Sequence, residues 1–463
     1  MKQRTLRKRE FPDTIVILVG LILIACILTY IIPAGSYDFA EDGKTVVDGT
    51  FHTVEPNRAG VMDFFESIYK GFSQAASTMF VIFLIGGALN IMQDTGSISA
   101  AINATIRKTS GSYRAIIPVM IVILSVLGVV GAGNNVSLAF ALVMCALCRK
   151  LKLDKCVAIA CLYLASNTGF AFSFMNPFTT LLGQNIAGIP QMSGLAARAV
   201  SWAISTAIVI WFTMRYCARI RRDPGSAIAP FTEEELAAED NNADSFQGKM
   251  TVRHALCLAV MAGCLIVFAY GSVAWDWGIA NLGHMMVILA MAAGIIGGMS
   301  ANAIAKSFVN GCKTMVYSAV ITGIASGISV ILSNANIIHT IIYYLAMPLS
   351  LLPTWLSSIG MFIVNFFFNF FVNSGSGQCY VVMPIMAPLA DLIGVSRQIA
   401  VSAFQFGDGI SNAIYPTSAL LMGTIAACGI SYQKWLKFVM PVIGILSAFG
   451  AVFLAVMTLV GWA

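Results

Sequence analysis

Residues 366–378 read Phe-Phe-Phe-Asn-Phe-Phe-Val-Asn-Ser-Gly-Ser-Gly-Gln, and residues 405–418 read Gln-Phe-Gly-Asp-Gly-Ile-Ser-Asn-Ala-Ile-Tyr-Pro-Thr-Ser. Both polar stretches interrupt apolar helical sequence. In lipid, irregular backbone is tolerated only where it is buried in protein or lines a polar cavity. Interrupted helices at corresponding positions of two halves are typical of the binding site of a secondary transporter. This region predicts such a site if the first half shows the same pattern.

The composition indicates a polytopic membrane protein. The chain has 463 residues, of which 58% are hydrophobic and only 10% are charged, and its mean hydropathy is +0.83. Soluble domains carry roughly 25% charged residues. The net charge of +6 lies largely at segment ends and in loops, so we interpret it as a signal of orientation rather than of a nucleic-acid partner. Eleven cysteines in mostly apolar segments predict packing roles, and Cys145-x-x-Cys148 has no histidine nearby to suggest a metal site.

The first half contains the same kind of interruption. A basic N-terminus precedes the apolar run Thr14–Ile32, which predicts a first transmembrane helix rather than a signal peptide. An amphipathic approach segment (Asp63–Lys70) and a second span (Ala75–Gln93) follow. Residues 114–149 are apolar around a polar middle at 131–137, and they are too short for two full spans and a turn. They predict a re-entrant hairpin of two short helices, before a span at about 155–190 that polar residues break.

The pattern recurs in the second half. Ser67 and Ser307, Gly169 and Gly409, and Leu181 and Leu421 are each 240 positions apart. The order of features also repeats, with a second hairpin at about 354–391 and a second broken span at about 398–430. We therefore expect an internal duplication.

Charge placement predicts that the two halves are inverted. The basic N-terminus and the polar linker are expected to be cytoplasmic, so the second hairpin enters the membrane from the opposite side to the first. The predicted fold is an all-α polytopic membrane protein of two inverted repeats. The N-terminal half covers residues 1–222, the cytoplasmic linker covers 223–250, and the C-terminal half covers 251–463.

Glycine-rich and oxygen-rich hairpin tips are suited to binding. Unwound carbonyls can coordinate Na⁺, whereas helix N-termini attract an anionic group such as a carboxylate. A simpler interpretation is that small residues only allow close helix packing. The predicted substrate-binding residues are Asn134, Asn135, Ser137, Asn176, Thr179, Asn373, Ser374, Gly375, Ser376, Asn412, Thr417 and Ser418.

Asp408 is unusual because a charged side chain within a span costs about 2.5–3.5 kcal/mol on insertion scales. It could hold a cation, carry a coupling proton or bind a substrate amine, or it could cap a half-helix. The first half has Thr168 at the corresponding position, so the two sites are chemically unequal. The predicted ion-coupling residues are Gly133, Ser166, Asn167, Thr168 and Asp408. We expect no cofactor, and no metal ion other than Na⁺; the coupling ion would be Na⁺ or H⁺.

Four groups of residues form recognisable motifs: Ile32-Pro-Ala-Gly-Ser-Tyr37, Asn176-Pro-Phe-Thr179 with residues 184–194, Gly407-Asp-Gly409 with Asn412, and Pro416-Thr-Ser418. Together they resemble the YfcC-type carriers, which are grouped with the anaerobic C4-dicarboxylate carriers and more distantly with basic amino acid antiporters. The resemblance covers nearly the whole chain. It implies a scaffold domain that is usually dimeric, a mobile transport domain with both hairpins and both broken spans, and an elevator-like movement. It also implies a bacterial inner-membrane location.

The leading hypothesis is an ion-coupled symporter or exchanger for a small carboxylate-bearing metabolite, either a dicarboxylate or an amino acid. A basic amino acid antiporter is the alternative. An intramembrane aspartyl protease is disfavoured because Gln405 replaces the first glycine of the Gly-x-Gly-Asp motif, and because no second aspartate lies mid-span. A channel is disfavoured by the repeated hairpins.

Overall fold

The computed structural model describes residues 13–38, 47, 49–108, 112–133, 137, 140–233, 235, 250–275 and 277–462. The described chain is nearly all helical, and seven of its helices are long and apolar enough to cross a membrane. Two short strands, β1 (Gly35–Ser36) and β2 (His52–Thr53), pair in antiparallel register after the first helix. The prediction of an all-α polytopic membrane protein is confirmed.

The helices follow one another in two successive series. The helices of the first series are α1 (Thr14–Ile31), α2 (Val61–Asp94), α3 (Ser97–Lys108), α4 (Tyr113–Val129), α5 (Ala141–Lys150), α6 (Lys155–Ala171), α7 (Thr180–Ala187) and α8 (Leu195–Arg222). The helices of the second series are α9 (Val252–Ala274), α10 (Ile279–Ile296), α11 (Ala301–Asn334), α12 (Ile338–Leu349), α13 (Thr354–Phe368), α14 (Gly375–Leu392), α15 (Arg397–Ser411), α16 (Ala419–Ala427) and α17 (Tyr432–Leu459). A π-helical turn at Ala160–Leu164 lies within α6.

Side-chain caps set the start of several helices. The Asp13 carboxylate accepts a hydrogen bond from the Ile15 amide at the start of α1. Ser374, Ser396 and Ser418 cap α14, α15 and α16 in the same way. Such caps satisfy backbone donors that have no partner within the helix.

The approach segment and the second span form one helix rather than two. Helices α2 and α11 each have 34 residues, which makes each about 51 Å long at 1.5 Å per residue. The sequence suggested a boundary near residue 70 because polarity changes there. No proline interrupts α2, and the ion pair of Glu66 with Lys70 at 2.8 Å lies along one helix face.

The helices pack as two groups. The long helices α2 and α11 pack against each other and against α1 and α10, while α9 covers α10 and α3. The second group contains α4, α6, α8, α13, α15 and α17, with α14 against α15 and α7. Helix α14 also packs on α11, so it lies at the boundary of the two groups. This boundary positions the candidate site.

Part of the linker packs against the helices. The Glu235 carboxylate lies 2.5 Å from Nζ of Lys155, which is buried at the start of α6. The Lys155 amide donates to the carbonyl of Ala229. Residues 236–249 lie outside the described part of the chain.

Candidate functional site

The second hairpin packs against helix α15. Its legs, α13 and α14, both pack on α15, and the Gln378 side-chain amide donates to the Asn365 carbonyl at 3.0 Å to join the two legs. Residues 369–374 connect the legs. The hairpin tip therefore lies beside the end of α15, where the second span breaks.

Asn412 joins this hairpin tip to the second break. Its Oδ1 accepts hydrogen bonds from Nδ2 of Asn373 at 2.7 Å and from Nδ2 of Asn369 at 2.9 Å. The Tyr163 hydroxyl on α6 donates to the Asn412 carbonyl at 2.8 Å and lies 3.2 Å from Oγ of Ser418. Residues from both halves of the chain thus meet at one point.

The two breaks are also linked directly. Nδ2 of Asn167 donates to the Gly409 carbonyl at 2.7 Å. Nε2 of Gln405 donates to the carbonyls of Ser173 at 2.7 Å and Phe170 at 3.3 Å. These carbonyls lie at the end of α6, where helical partners are missing. Side chains of the opposite half therefore donate to backbone carbonyls at both breaks.

A polar cavity of about 300 Å³ opens beside these contacts. One wall comes from the hairpin tip, the second break and α6, and the other comes from α1 and α11 of the long-helix group. The lining residues are Thr14, Gly131, Tyr163, Asn167, Phe170, Phe178, Thr314, Met315, Tyr317, Ser318, Ile321, Asn373, Ser374, Gly375, Ser376, Asn412, Thr417, Ser418, Ala419 and Leu420. The cavity therefore lies between the two helix groups.

Asp408 belongs to α15. It lies next to this cavity, and its side chain approaches Gly375 at the N-terminus of α14. It is 0% exposed. Among the described residues, no donor lies within 3.5 Å of either carboxylate oxygen in hydrogen-bond geometry, and the side chain of Asn412 is a polar neighbour. Oδ2 of Asp408 lies 3.3 Å from the point that a Cβ on Gly375 would occupy, and Cγ2 of Thr179 lies 2.8 Å from that point. A Cβ at Gly375 would therefore force these side chains to shift. The Thr179 hydroxyl is likewise buried without a partner in the described chain.

The cavity brings together eight of the residues that the sequence singled out. These are Asn167, Asn373, Ser374, Gly375, Ser376, Asn412, Thr417 and Ser418. Their roles in binding remain predictions. Asn134 and Asn135 lie outside the described residues.

The other predicted residues lie around the cavity rather than in its wall. Ser137 donates to the carbonyls of Gly133 and Leu162 at 2.8 and 3.1 Å. Thr168 donates to Leu164 within α6 at 2.7 Å. The placement of these hydroxyls indicates local hydrogen bonding within the first half.

Asn176 and Ser166 also hold the first half together. Nδ2 of Asn176 donates to the Gly128 carbonyl at 3.1 Å, and Oδ1 of Asn176 accepts from the Phe178 amide at 2.9 Å. Ser166 packs against Gly133. The Ser166 hydroxyl is buried and has no partner within the described ranges.

The sequence did not identify three residues that the structure places at the site. Tyr163 and Phe170 line the cavity, and Arg198 is a buried cation that contacts Gln405. An arginine in an apolar span is a signal that sequence reasoning could have used. Tyr163 and Phe170 lack such a signal because aromatic residues are common in spans.

Comparisons with known proteins agree with this architecture. The family model of the C4-dicarboxylate anaerobic carriers (DcuC) matches residues 11–459. The chain is 33% identical to the putative basic amino acid antiporter YfcC of Escherichia coli K12, with 98% of each chain covered. It is 28% identical to an uncharacterized protein of Haemophilus influenzae, with 96% of this chain and 97% of the relative covered.

Solved structures show the same fold. The YdaH transporter of Alcanivorax borkumensis superposes with a TM-score of 0.70 at 15% identity, covering 97% of this chain and 99% of YdaH. MtrF of Neisseria gonorrhoeae, which is described as representing a class of antimetabolite efflux pumps, superposes with a TM-score of 0.71 at 15% identity. The superposition covers 98% of this chain and 96% of MtrF. Because the family model and YfcC both match it along almost its full length, the chain belongs to the C4-dicarboxylate anaerobic carrier family of membrane transporters.

Proposed function

We propose that this transporter moves a small carboxylate-bearing metabolite, either a dicarboxylate or an amino acid, across the bacterial inner membrane by ion-coupled symport or exchange. The observation that carries the proposal is the polar cavity at the boundary of the two helix groups, with the buried Asp408 behind it. A carrier needs a site of this kind, which one rigid movement can expose first to one side and then to the other.

Two helix N-termini support an anionic substrate group. Gly375 and Ser376 begin α14, and Ala419 and Leu420 begin α16; all four line the cavity. Backbone N–H groups at a helix N-terminus point along the axis and favour negative charge. A carboxylate in the cavity would therefore meet donors from two directions.

Asp408 supports coupling to a cation. A buried carboxylate without a partner is costly unless it is protonated or paired with a positive charge. In this transporter it would hold a proton or Na⁺, or it would bind an amine of the substrate. The hydroxyl of Thr179 and the break carbonyls would supply further oxygen ligands, which Na⁺ prefers over nitrogen or sulfur.

The movement that we propose is elevator-like. The long helices α2 and α11 would form a fixed scaffold, and the group with both broken spans would move against it. The two halves, residues 1–222 and 251–463 around the linker 223–250, would be inverted repeats. Two glycine contacts between α2 and α11 support this pseudo-symmetry. Gly71 lies close to Gly327 in one part of the contact, and Gly311 lies close to Gly86 in the other. The active form would be a homodimer with its N-terminus in the cytoplasm.

A basic amino acid antiporter is the second candidate. The favouring observation is the match to YfcC, whose name describes such an activity. In that case Asp408 would bind the side-chain cation of the substrate. Symport and exchange differ in whether transport needs a substrate on the opposite side.

Proteoliposomes containing the purified protein test both candidates. Uptake of L-arginine, L-aspartate and succinate is measured with a Na⁺ gradient, with a pH gradient, and with unlabelled substrate inside. We expect saturable uptake of one probe and counterflow. Uptake of L-arginine that is stimulated only by internal substrate would favour the basic amino acid antiporter. Flux that does not saturate and shows no counterflow would contradict a carrier.

A further inference from the structure

Arg198 is a buried cation whose described hydrogen-bond partners are neutral. It lies near the start of α8, and only 1% of its surface is exposed. Its Nη1 donates to Oε1 of Gln405 at 2.8 Å, and its Nη2 donates to Oε1 of Gln398 at 2.8 Å. The guanidinium also lies over the Trp462 ring at 5.5 Å. Within the described chain, no carboxylate lies within ion-pair distance of Arg198. The reason for burying a cation here is therefore not an ion pair.

The contact with Arg198 fixes the orientation of the Gln405 amide. A guanidinium has only donors, so Gln405 must present its oxygen to Arg198. Its amide nitrogen then faces the carbonyls of Ser173 and Phe170, at 2.7 and 3.3 Å. The reversed amide would place its oxygen against two carbonyls and its N–H groups against a cation. Arg198 therefore ensures that Gln405 donates to the first break, where the Ser173 carbonyl also accepts from the Thr180 hydroxyl at 3.1 Å.

The break that Gln405 holds determines where Phe170 lies. Phe170 lines the cavity, and its ring atom Cζ lies 2.9 Å from the point that a Cβ on Gly375 would occupy. A shift of the Phe170 backbone would move this ring relative to the N-terminus of α14. The effect of Arg198 thus reaches the cavity through one intermediate side chain.

In the second half, the carbonyl at the corresponding position accepts from a side chain that has no charged partner. Ala413 lies 240 positions after Ser173, and its carbonyl accepts a hydrogen bond of 2.9 Å from Nε1 of Trp435. Both breaks therefore receive a buried side-chain donor at the same position. A neutral donor with a fixed direction, as in Trp435, needs no orienting group, whereas the reversible amide of Gln405 does.

We propose that Arg198 is a positioning residue of the binding site. Through Gln405, it holds the carbonyls of Phe170 and Ser173 and so sets the position of Phe170 at the cavity. The assignment of this cavity to substrate rests on the proposed function, but the effect on the break itself does not.

Two matched glutamate variants distinguish the loss of the Gln405 donor from a change in the charge next to Arg198. In Gln405→Glu, Arg198 gains a carboxylate partner, which the guanidinium keeps ionised. The carbonyls of Ser173 and Phe170 then face a carboxylate instead of the Gln405 donor, and Ser173 keeps the Thr180 hydroxyl at 3.1 Å. In Gln398→Glu, Arg198 also gains a carboxylate, and the break keeps Gln405. The control loses only the contact of Nε2 of Gln398 with Oγ of Ser193 at 2.7 Å, which lies away from the break.

Hydrogen exchange of the peptide covering residues 170–181 measures the break directly. We expect exchange to be about tenfold faster in Gln405→Glu, because an ionised carboxylate would then face the two carbonyls in place of the donor that they share. Exchange should be unchanged in Gln398→Glu. Equal exchange in the two variants would overturn the proposal. If Gln405→Glu does not fold, Arg198→Met should show the same local increase; wild-type exchange in a folded Arg198→Met would overturn it as well.

Transport kinetics test the link to the cavity. For whichever of L-arginine, L-aspartate or succinate the wild type transports, we expect Gln405→Glu to raise KM about tenfold with little change in maximal rate, since a site positioned for binding is lost. Gln398→Glu should keep the wild-type KM. A loosened break with an unchanged KM would refute the positioning role. Failure of the wild type to transport any probe would count against the proposed function, while the exchange result would still stand.

Discussion

The side-chain amide of Asn373 donates a hydrogen bond of 2.7 Å to Oδ1 of Asn412. Asn373 lies at the tip of the second hairpin, and Asn412 lies at the break that follows α15. Because Oδ1 of Asn412 also accepts from Asn369, and its carbonyl accepts from Tyr163, the hairpin, the second break and the first broken span share one residue. Such a residue is a sensitive place to test the site.

Asn412→Ala should weaken substrate binding about tenfold, because the half-buried amide of Asn373 loses its acceptor and that of Asn369 loses one of three. Asn412→Asp keeps an acceptor for both donors and should stay closer to the wild type. Thermal shifts of the purified protein with L-arginine, L-aspartate or succinate measure the affinity. If the alanine and aspartate variants weaken binding equally, the side-chain oxygen of Asn412 does not act as the acceptor that organises the site.

Asp408→Asn should abolish gradient-driven uptake while the protein still inserts into the membrane and keeps its melting temperature. Asparagine preserves the size of the side chain and removes a buried charge that has no described partner, so no structural loss is expected. Uptake into proteoliposomes under Na⁺ and pH gradients is the measurement.

Asp391→Asn is the matched control for this loss. Asp391 pairs with Arg397 at 2.7 Å on the same helix group, and both side chains are 13% exposed. This variant should lower stability but retain coupling. Undiminished driven uptake by Asp408→Asn would remove Asp408 from the mechanism.

Gly169→Ala should lower the free energy of unfolding by about 1–3 kcal/mol, the usual range for overpacking. A Cβ at this position would lie 1.9 Å from the Ser125 carbonyl, and backbone cannot move aside as a flexible side chain could. Gly263→Ala is the control because no atom lies within 4 Å of its added Cβ. Unfolding in detergent compares the two, and equal stabilities would mean that α4 and α6 do not pack this closely.

A disulfide between Thr322→Cys and Ser376→Cys should block transport reversibly. Their hydroxyls share a hydrogen bond of 2.8 Å between α11 and α14, where the moving group would slide on the scaffold. The pair is introduced after replacement of the native cysteines, and uptake is measured before and after reduction.

The corresponding control is Ser125→Cys with Thr206→Cys. Their hydroxyls are 2.9 Å apart on α4 and α8, both within the group that would move together. Oxidation of this pair should leave transport intact. Full activity of the oxidised Thr322–Ser376 pair would argue against movement of α14 along α11.

Much of the architecture was accessible from the sequence because lipid imposes strict rules on backbone. The polar stretches around Ser374 and Asp408 could lie at membrane depth only in a protected site, and Asn373, Asn412 and Ser418 do line one cavity. The boundary near Lys70 was wrong because a change in local polarity does not by itself end a helix, and no proline interrupts residues 61–94.

By itself, the sequence determined the class of the protein, the places where its helices are interrupted and the chemical character of the site, since these follow from composition and local pattern. The tertiary structure alone decided which of these groups meet. Tyr163 reaches Asn412 across 249 positions, and Arg198 reaches Gln405 across 207. Such pairings depend on how separate helices cross, and neither hydropathy nor residue spacing along the chain contains that information.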